Sequence, residues 1–250
     1  MKRNIIMLLV CFMLLIYFAA DAWAAPVPFP NINLSIEQTE EPREIVDSLR
    51  LLIILTILSL APGLLVLMTS FTRIVVVLAF TRNALATQQT PPNQVLIGLA
   101  LFLTFFIMAP VYGDIKTEAL EPYLAGAITQ EQAMVQAANP LKDFMFKHTR
   151  EKDLALFVNL SKMDRPTDKN DIPLLVLIPG YVISELKTAF QMGFIIYVPF
   201  LVIDMVVAST LMSMGMFMLP PIMVSLPFKL LLFVMVDGWY LVVKSLIESF

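Results

Sequence analysis

The sequence predicts an all-α, membrane-associated protein: apolar helical hairpins with a small extramembrane helical region. Three observations lead there. Hydrophobic residues make up 58% of the chain and charged residues 15%, and the mean hydropathy is +0.80, all far from the averages of soluble domains. Long apolar tracts recur, of the length that a helix needs to span a hydrocarbon core of ~30 Å. The one markedly polar region between them carries a helical start signal and a helical spacing of its apolar residues.

Residues 1–24, MKRNIIMLLVCFMLLIYFAADAWA, open with Lys2 and Arg3, continue apolar from Ile5 to Ala20 and close on Ala22-Trp23-Ala24. This is the pattern of a secretory signal peptide with an A-x-A-like cleavage site, the alternative being an uncleaved anchor. Cleavage would leave the new N-terminus outside the cytoplasm. It would also remove Cys11, the single cysteine, and with it any disulfide, iron–sulfur cluster or thiolate metal site. Residues 25–48, with Pro26, Pro28, Pro30 and an acidic tract from Glu37 to Asp47, read as a linker or short cap.

Residues 49–113 read as a first apolar hairpin. Its first arm, Leu49 to Phe71, is interrupted by Pro62-Gly63, and its second runs from Val95 to Tyr112. Between them, Thr72 to Asn93 holds Arg73 and Arg82 and no acid, which is the composition of a short cytoplasmic loop. Residues 114–171 form the soluble region. Thr129-Gln130-Glu131-Gln132 has capping-box spacing, and Leu141 to Met163 reads as an amphipathic helix. His148, the only histidine, sits among Lys147, Arg150 and Glu151 and reads as a solvated helix residue rather than a ligand or base.

Residues 172–250 read as a second apolar hairpin, divided by Gly215 and Pro220-Pro221, with a loop at 212–221. That loop places methionine at every second position: Met212, Met214, Met216 and Met218, with Phe217 among them. From the residues alone two readings stand. The methionines fill a core at a helix turn, or they form a soft apolar seal that can repack around irregular surfaces.

Asp204 and Lys229 are charges inside apolar tracts, where each costs about 2.5 to 3.5 kcal/mol unless it finds a partner, a cavity or water. They lie equally far in sequence from the centre of the loop, so an antiparallel hairpin brings them to one height. The spacing predicts a buried ion pair, within one hairpin or between neighbouring copies; separate snorkelling to water is the alternative. Glu185 and Lys187, two residues apart, face different directions on a helix, so each needs a contact on another helix or subunit, and intersubunit polar contacts are expected. A loop that carries no charge suits protein surroundings better than cytosol, so the hairpin is expected to pack inside an assembly.

No basic run points to nucleic acid, and the net charge is −3. No HExxH helix, nucleophile site or Gly-rich phosphate loop appears, so neither enzyme activity nor a cofactor is expected. A multi-pass small-solute transporter is the alternative, with Pro62-Gly63 and Pro220-Pro221 as helix breaks, but the inverted repeat usual for that class is missing.

Three tracts carry a resemblance: SFTRIVVVLAFTRNALATQQTPPNQVLIGLALFLTFF (70–106), PGYVISELKTAFQMGF (179–194), and the stretch from Asp204 through SMGMFMLPP to LPFKLLLFVMVDGW (226–239). Together they resemble the FliP family, membrane proteins of the flagellar type III export gate, over essentially Leu49 to Phe250. The signal peptide and acidic extension resemble the flagellar branch rather than the injectisome branch. The resemblance implies a pentamer that joins the companion proteins FliQ and FliR in a helical, cone-like gate in the inner membrane at the basal body. That gate conducts unfolded polypeptides, and much of the apolar chain packs against other subunits. It also implies that Met216 and Met218 stand where methionines form a gasket around the closed channel. Phe217 departs from the methionine that the family often has there, and this leaves the roles of Met212 and Met214 open.

Overall fold

The computed structural model describes residues 42–250, apart from 88, 164, 165 and 167. The expected signal peptide, its cleavage site and residues 25–41 lie outside the described residues. The chain divides into two units, Met1–Leu51 and Leu52–Phe250. Of the first, only the opening turns of helix α1 (Pro42–Leu67) are described.

The second unit is helical throughout its regular structure: the rest of α1, then α2 (Phe71–Ala84), α3 (Asn93–Ile115), a π-helical turn, α4 (Glu121–Leu124), α5 (Gln130–His148), α6 (Glu151–Leu160), α7 (Leu174–Ser213), α8 (Pro221–Met235) and α9 (Gly238–Glu248). Two stretches, Asn93–Leu124 and Leu174–Ser213, are long and apolar enough to cross a membrane. A third joins them if α8 and α9, bent by 63° at their junction, are taken as one span. At Asp237 the backbone turns left-handed, φ 51°, which produces that bend.

Three expectations need correction. Pro62-Gly63 does not interrupt the first apolar arm, since α1 runs through it to Leu67. A proline removes one backbone donor, and the rest of the ladder holds. Residues 72–93 are not an exposed loop: most of them form α2, whose Ile74, Val77, Leu78 and Thr81 are buried at helical spacing, so residues 49–113 give three helices instead of a two-armed hairpin. The pattern from Leu141 to Met163 is two helices, parted at Thr149 and Arg150. The capping box does form: Gln132 N–H donates to Thr129 Oγ1 at 3.3 Å and Thr129 N–H to Gln132 Oε1 at 2.9 Å.

Helix α7 is the spine. At 40 residues it is about 60 Å long, twice a hydrocarbon core, and it packs against α2, α5, α6 and α8. Contact with α2 is close because Gly193 has no side chain; a Cβ there would come within 2.6 Å of Phe80. Around α2 one core joins Ile74, Val77 and Leu78 to Leu96 and Ala100 of α3, Ala189 of α7 and Val242 and Leu246 of α9. A second core sets Met145 of α5 against Leu177 and Tyr181 of α7.

The polar segment is thereby docked on α7. Arg150 N–H donates to Ser184 Oγ at 3.0 Å, its guanidinium reaches Thr188 Oγ1 at 3.1 Å and Gln191 Oε1 at 2.7 Å, and Ser184 Oγ donates to Asp153 Oδ2 at 2.9 Å. These bonds satisfy groups that the approach of α6 to α7 would otherwise strip of water.

Candidate functional site

Helix α7 ends in a glycine-centred cap, and this shapes the methionine tract. Gly215 adopts φ +77°, its N–H donates to Met212 O at 3.0 Å, and Met216 N–H donates to Leu211 O at 3.0 Å. Those two bonds are the Schellman pattern, which satisfies the last carbonyls and stops the helix. Met212 therefore stands in the last turn of α7 and Met214 caps it, so the loop proper is shorter than 212–221 at its start. Pro220 caps α8, whose first residue is Pro221, where the missing N–H costs nothing.

The tip is bare. Met212, Met214 and Phe217 are exposed, Met218 is 96% exposed, and only Met216 is partly buried. Four apolar side chains of this short tract are thus left uncovered among the described residues, the kind of exposed apolar cluster that marks interaction sites.

Beneath this tip the two arms are tied by charge. Lys229, 1% exposed, donates from Nζ to Asp204 Oδ2 at 2.6 Å and to Ala84 O at 3.3 Å. Ser225 Oγ donates to Asp204 Oδ1 at 2.6 Å. The structure thus brings Asp204 and Lys229 together within one chain. Sequence reasoning missed Ser225 and the Ala84 carbonyl, which complete the coordination; a serine four residues before the lysine, on the same helix face, was the available signal.

Glu185 does not reach out to another subunit. It is fully buried and held by Arg73 of α2, whose Nε donates to Glu185 Oε2 at 2.9 Å while Nη2 bonds Oε1. The correction follows from the fold: α2 packs along α7, so an arginine assigned to a cytoplasmic loop lies at the depth of the buried acid. Arg73 Nη1 also donates to Ser249 O at 2.8 Å and Ser249 Oγ at 3.0 Å, and the Phe250 ring lies 3.8 Å from Cζ. Lys187, by contrast, is exposed and has no ion-pair partner among the described residues; it stands in an apolar groove beside Phe80, Phe190, Phe194 and Ile195.

His148 departs from expectation too. Its ring packs between Phe144 at 4.9 Å and Phe250 at 5.2 Å, and its buried Nε2 has no hydrogen-bond partner among the described residues. Burial, and then the charges of Arg73 and Lys147, push its pKa down to about 4. It is a neutral packing residue, because α5 turns that face onto Phe250 rather than to water.

The FliP family model matches residues 54–246. The flagellar biosynthetic protein FliP of Bacillus subtilis is 61% identical over 220 residues, covering 88% of this chain and all of that protein. Its counterpart in Aquifex aeolicus is 53% identical over 223 residues, covering 88% of this chain and 92% of that protein. The one in Pectobacterium carotovorum is 52% identical over 241 residues, with coverages of 94% and 90%. The matched span includes α2, both buried ion pairs and the methionine tip.

Proposed function

Given that this chain belongs to the FliP family, and so to the flagellar export apparatus, we propose that it is a pore-forming subunit of the export gate, whose methionine tip seals the closed channel. Several copies, a pentamer together with FliQ and FliR, surround a passage in the inner membrane for unfolded flagellar proteins. Residues 49–250 form the gate body in this reading, and Met212, Met214, Met216, Phe217 and Met218 supply the gasket.

One observation carries the reading: the tip is apolar and bare while the stalk beneath it is held rigid. Core filler would be buried within the chain, yet Phe217 and Met218 are among the most exposed apolar side chains of the described residues. The Asp204–Lys229 pair and the Gly215 cap fix where the tip stands without constraining its side chains.

The physics then works in two states. With no substrate, converging thioethers and phenyl rings make a constriction too apolar to hold a continuous water column, so ions do not pass. With a polypeptide in the passage, methionine's three rotatable bonds and polarizable sulfur let the ring conform to any side chain, since the contact makes no directional demand. Phe217 has two rotatable bonds and stiffens the seal. The chain has no phosphate-binding motif, so the driving force comes from other components.

Replacing Met216, Phe217 and Met218 by glycine in the assembled gate is expected to raise small-ion leakage through membranes that carry it. Unchanged leakage, in complexes whose native mass equals that of the unaltered gate, would remove the gasket role.

A further inference from the structure

Val242 and Leu246 hold the body of α9 in the core, but its end is held by a socket around one ring. Phe250 stacks on Phe144 of α5, with centroids 6.1 Å apart and planes at 14°, and meets His148 edge-wise at 5.2 Å. The Arg73 guanidinium lies 3.8 Å from the centre of the same ring and also bonds the carbonyl and hydroxyl of Ser249. Lys147 Nζ donates to Phe250 O at 2.9 Å. Two residues thus tie the end of α9 to both α2 and α5.

Of the side chains in this socket, only the imidazole changes charge near neutral pH. A second proton would find no acceptor there, because the buried Nε2 has no hydrogen-bond partner among the described residues. It would find no counter-charge either. The charges that act on His148 are those of Arg73 on α2 and Lys147 on α5, both positive. Glu185 of α7 is bonded to Arg73, Asp153 of α6 accepts from Ser184, Arg150 is bonded to Thr188 and Gln191, and Tyr181 of α7 donates to Thr69 O. Asp114, Glu118 and Asp143 line a neighbouring crevice whose walls do not include His148. An imidazolium is drawn to aromatic faces, yet the Phe250 ring already serves Arg73.

We propose that the Phe250 end of α9 is an acid-operated latch, seated on α5 while His148 is neutral and released when the imidazole takes a proton. Release frees Arg73 from Ser249 and leaves its bonds to Glu185 in place. It also removes a wall from the crevice of about 570 Å³ that Phe250 and Ile247 share with Phe106, Pro110 and Phe144. The direction of the His148 shift agrees: the seated state disfavours the proton, so the proton disfavours the seated state. The hold of the latch weakens as pH falls below about 6.5 and levels off near 4. None of this depends on the methionine tip being a seal.

The test is hydrogen exchange of the full chain in mild detergent, read by mass in peptides that contain residues 246–250. Their Ser249 and Phe250 amides donate to Leu246 O and Ile247 O while the end of α9 is seated. After correction for intrinsic rates, these amides should exchange faster than those of Ile74 to Thr81 in the α2 core at both pH 7.5 and pH 5. Their protection should fall on the order of tenfold between the two pH values, after allowance for partial solvent screening of the imidazole. His148→Gln and His148→Leu, which cannot take the proton, should show equal protection at both. Phe250→Ala, which empties the socket, should show low protection at both. A fall in the His148 variants equal to that of the unaltered chain would overturn the latch, as would acid-sensitive protection that survives Phe250→Ala. Exchange at the end of α9 no faster than in the α2 core would also overturn it, because the end would then open only with the whole fold.

Discussion

Breaking the Arg73–Glu185 pair by removing one member should harm the protein far more than removing both. Arg73 is 3% exposed and Glu185 fully buried, and three guanidinium nitrogens are engaged, two on the carboxylate and one on Ser249. Glu185→Ala leaves the cation in place with Ser249 and the Phe250 ring but no counter-charge. A buried ion so stranded costs on the order of 3 to 5 kcal/mol. The remaining contacts of Arg73 offset part of that, which puts the expected loss at about 3 kcal/mol. Arg73→Met with Glu185→Leu removes both desolvated charges and keeps the volume, so its cost should be no more than about 1 to 2 kcal/mol. For a domain of this size about 2 to 4 °C accompanies each kcal/mol, so Glu185→Ala should melt roughly 6 to 12 °C below the unaltered protein. The double variant should recover roughly a third to two thirds of that. Thermal unfolding in mild detergent, followed by tryptophan fluorescence at several scan rates, reads the difference. A double variant as unstable as Glu185→Ala, or a Glu185→Ala protein within about 2 °C of the unaltered one, would refute the reasoning.

Lys229→Ala should strand the Asp204 carboxylate with only Ser225, whereas exchanging the two charges, Asp204→Lys with Lys229→Asp, should recover part of the lost assembly yield. Recovery is partial because the exchanged acid would face the Ala84 carbonyl; an exchange no better than either single change would dismiss the pairing. His148 makes a prediction in pH. Its folded pKa of about 4 lies below the ordinary 6.5, so between those values the unfolded chain binds a proton that the folded chain refuses. Stability should therefore fall as pH drops from about 6.5 toward 4, by on the order of 2 kcal/mol once partial solvent screening is allowed for, and then level off. His148→Leu should flatten that part of a melting-temperature profile, and an equal slope in both proteins would refute the assignment.

Much of this fold was legible in the residues because the relevant rules are local. Apolar run length marked Val95 to Tyr112, which lies in the stretch Asn93–Leu124 that can cross a membrane, Thr129 and Gln132 marked a helix start, and Gly215 with Pro220-Pro221 marked the turn between α7 and α8. The partnership of Asp204 and Lys229 was legible for a related reason: a hairpin relates residues by simple symmetry about its turn. Where that symmetry is absent, inference stopped. Arg73 and Glu185 are 112 residues apart, and a charge count around α2 said cytoplasmic loop, although Ile74, Val77, Leu78 and Thr81 carry a buried helical face. His148 likewise looked solvated from its sequence neighbours, and is desolvated by Phe250, 102 positions away.

The sequence by itself determined that the chain is helical, apolar and tipped with a tract of thioethers, because hydrophobicity, glycine conformation and proline's missing donor act within a few residues. The tertiary structure decided which buried charge meets which, and which apolar faces stay open. Those outcomes depend on how α2, α5 and α9 settle on α7. Desolvation makes an unmatched charge costly, but only packing brings its partner near.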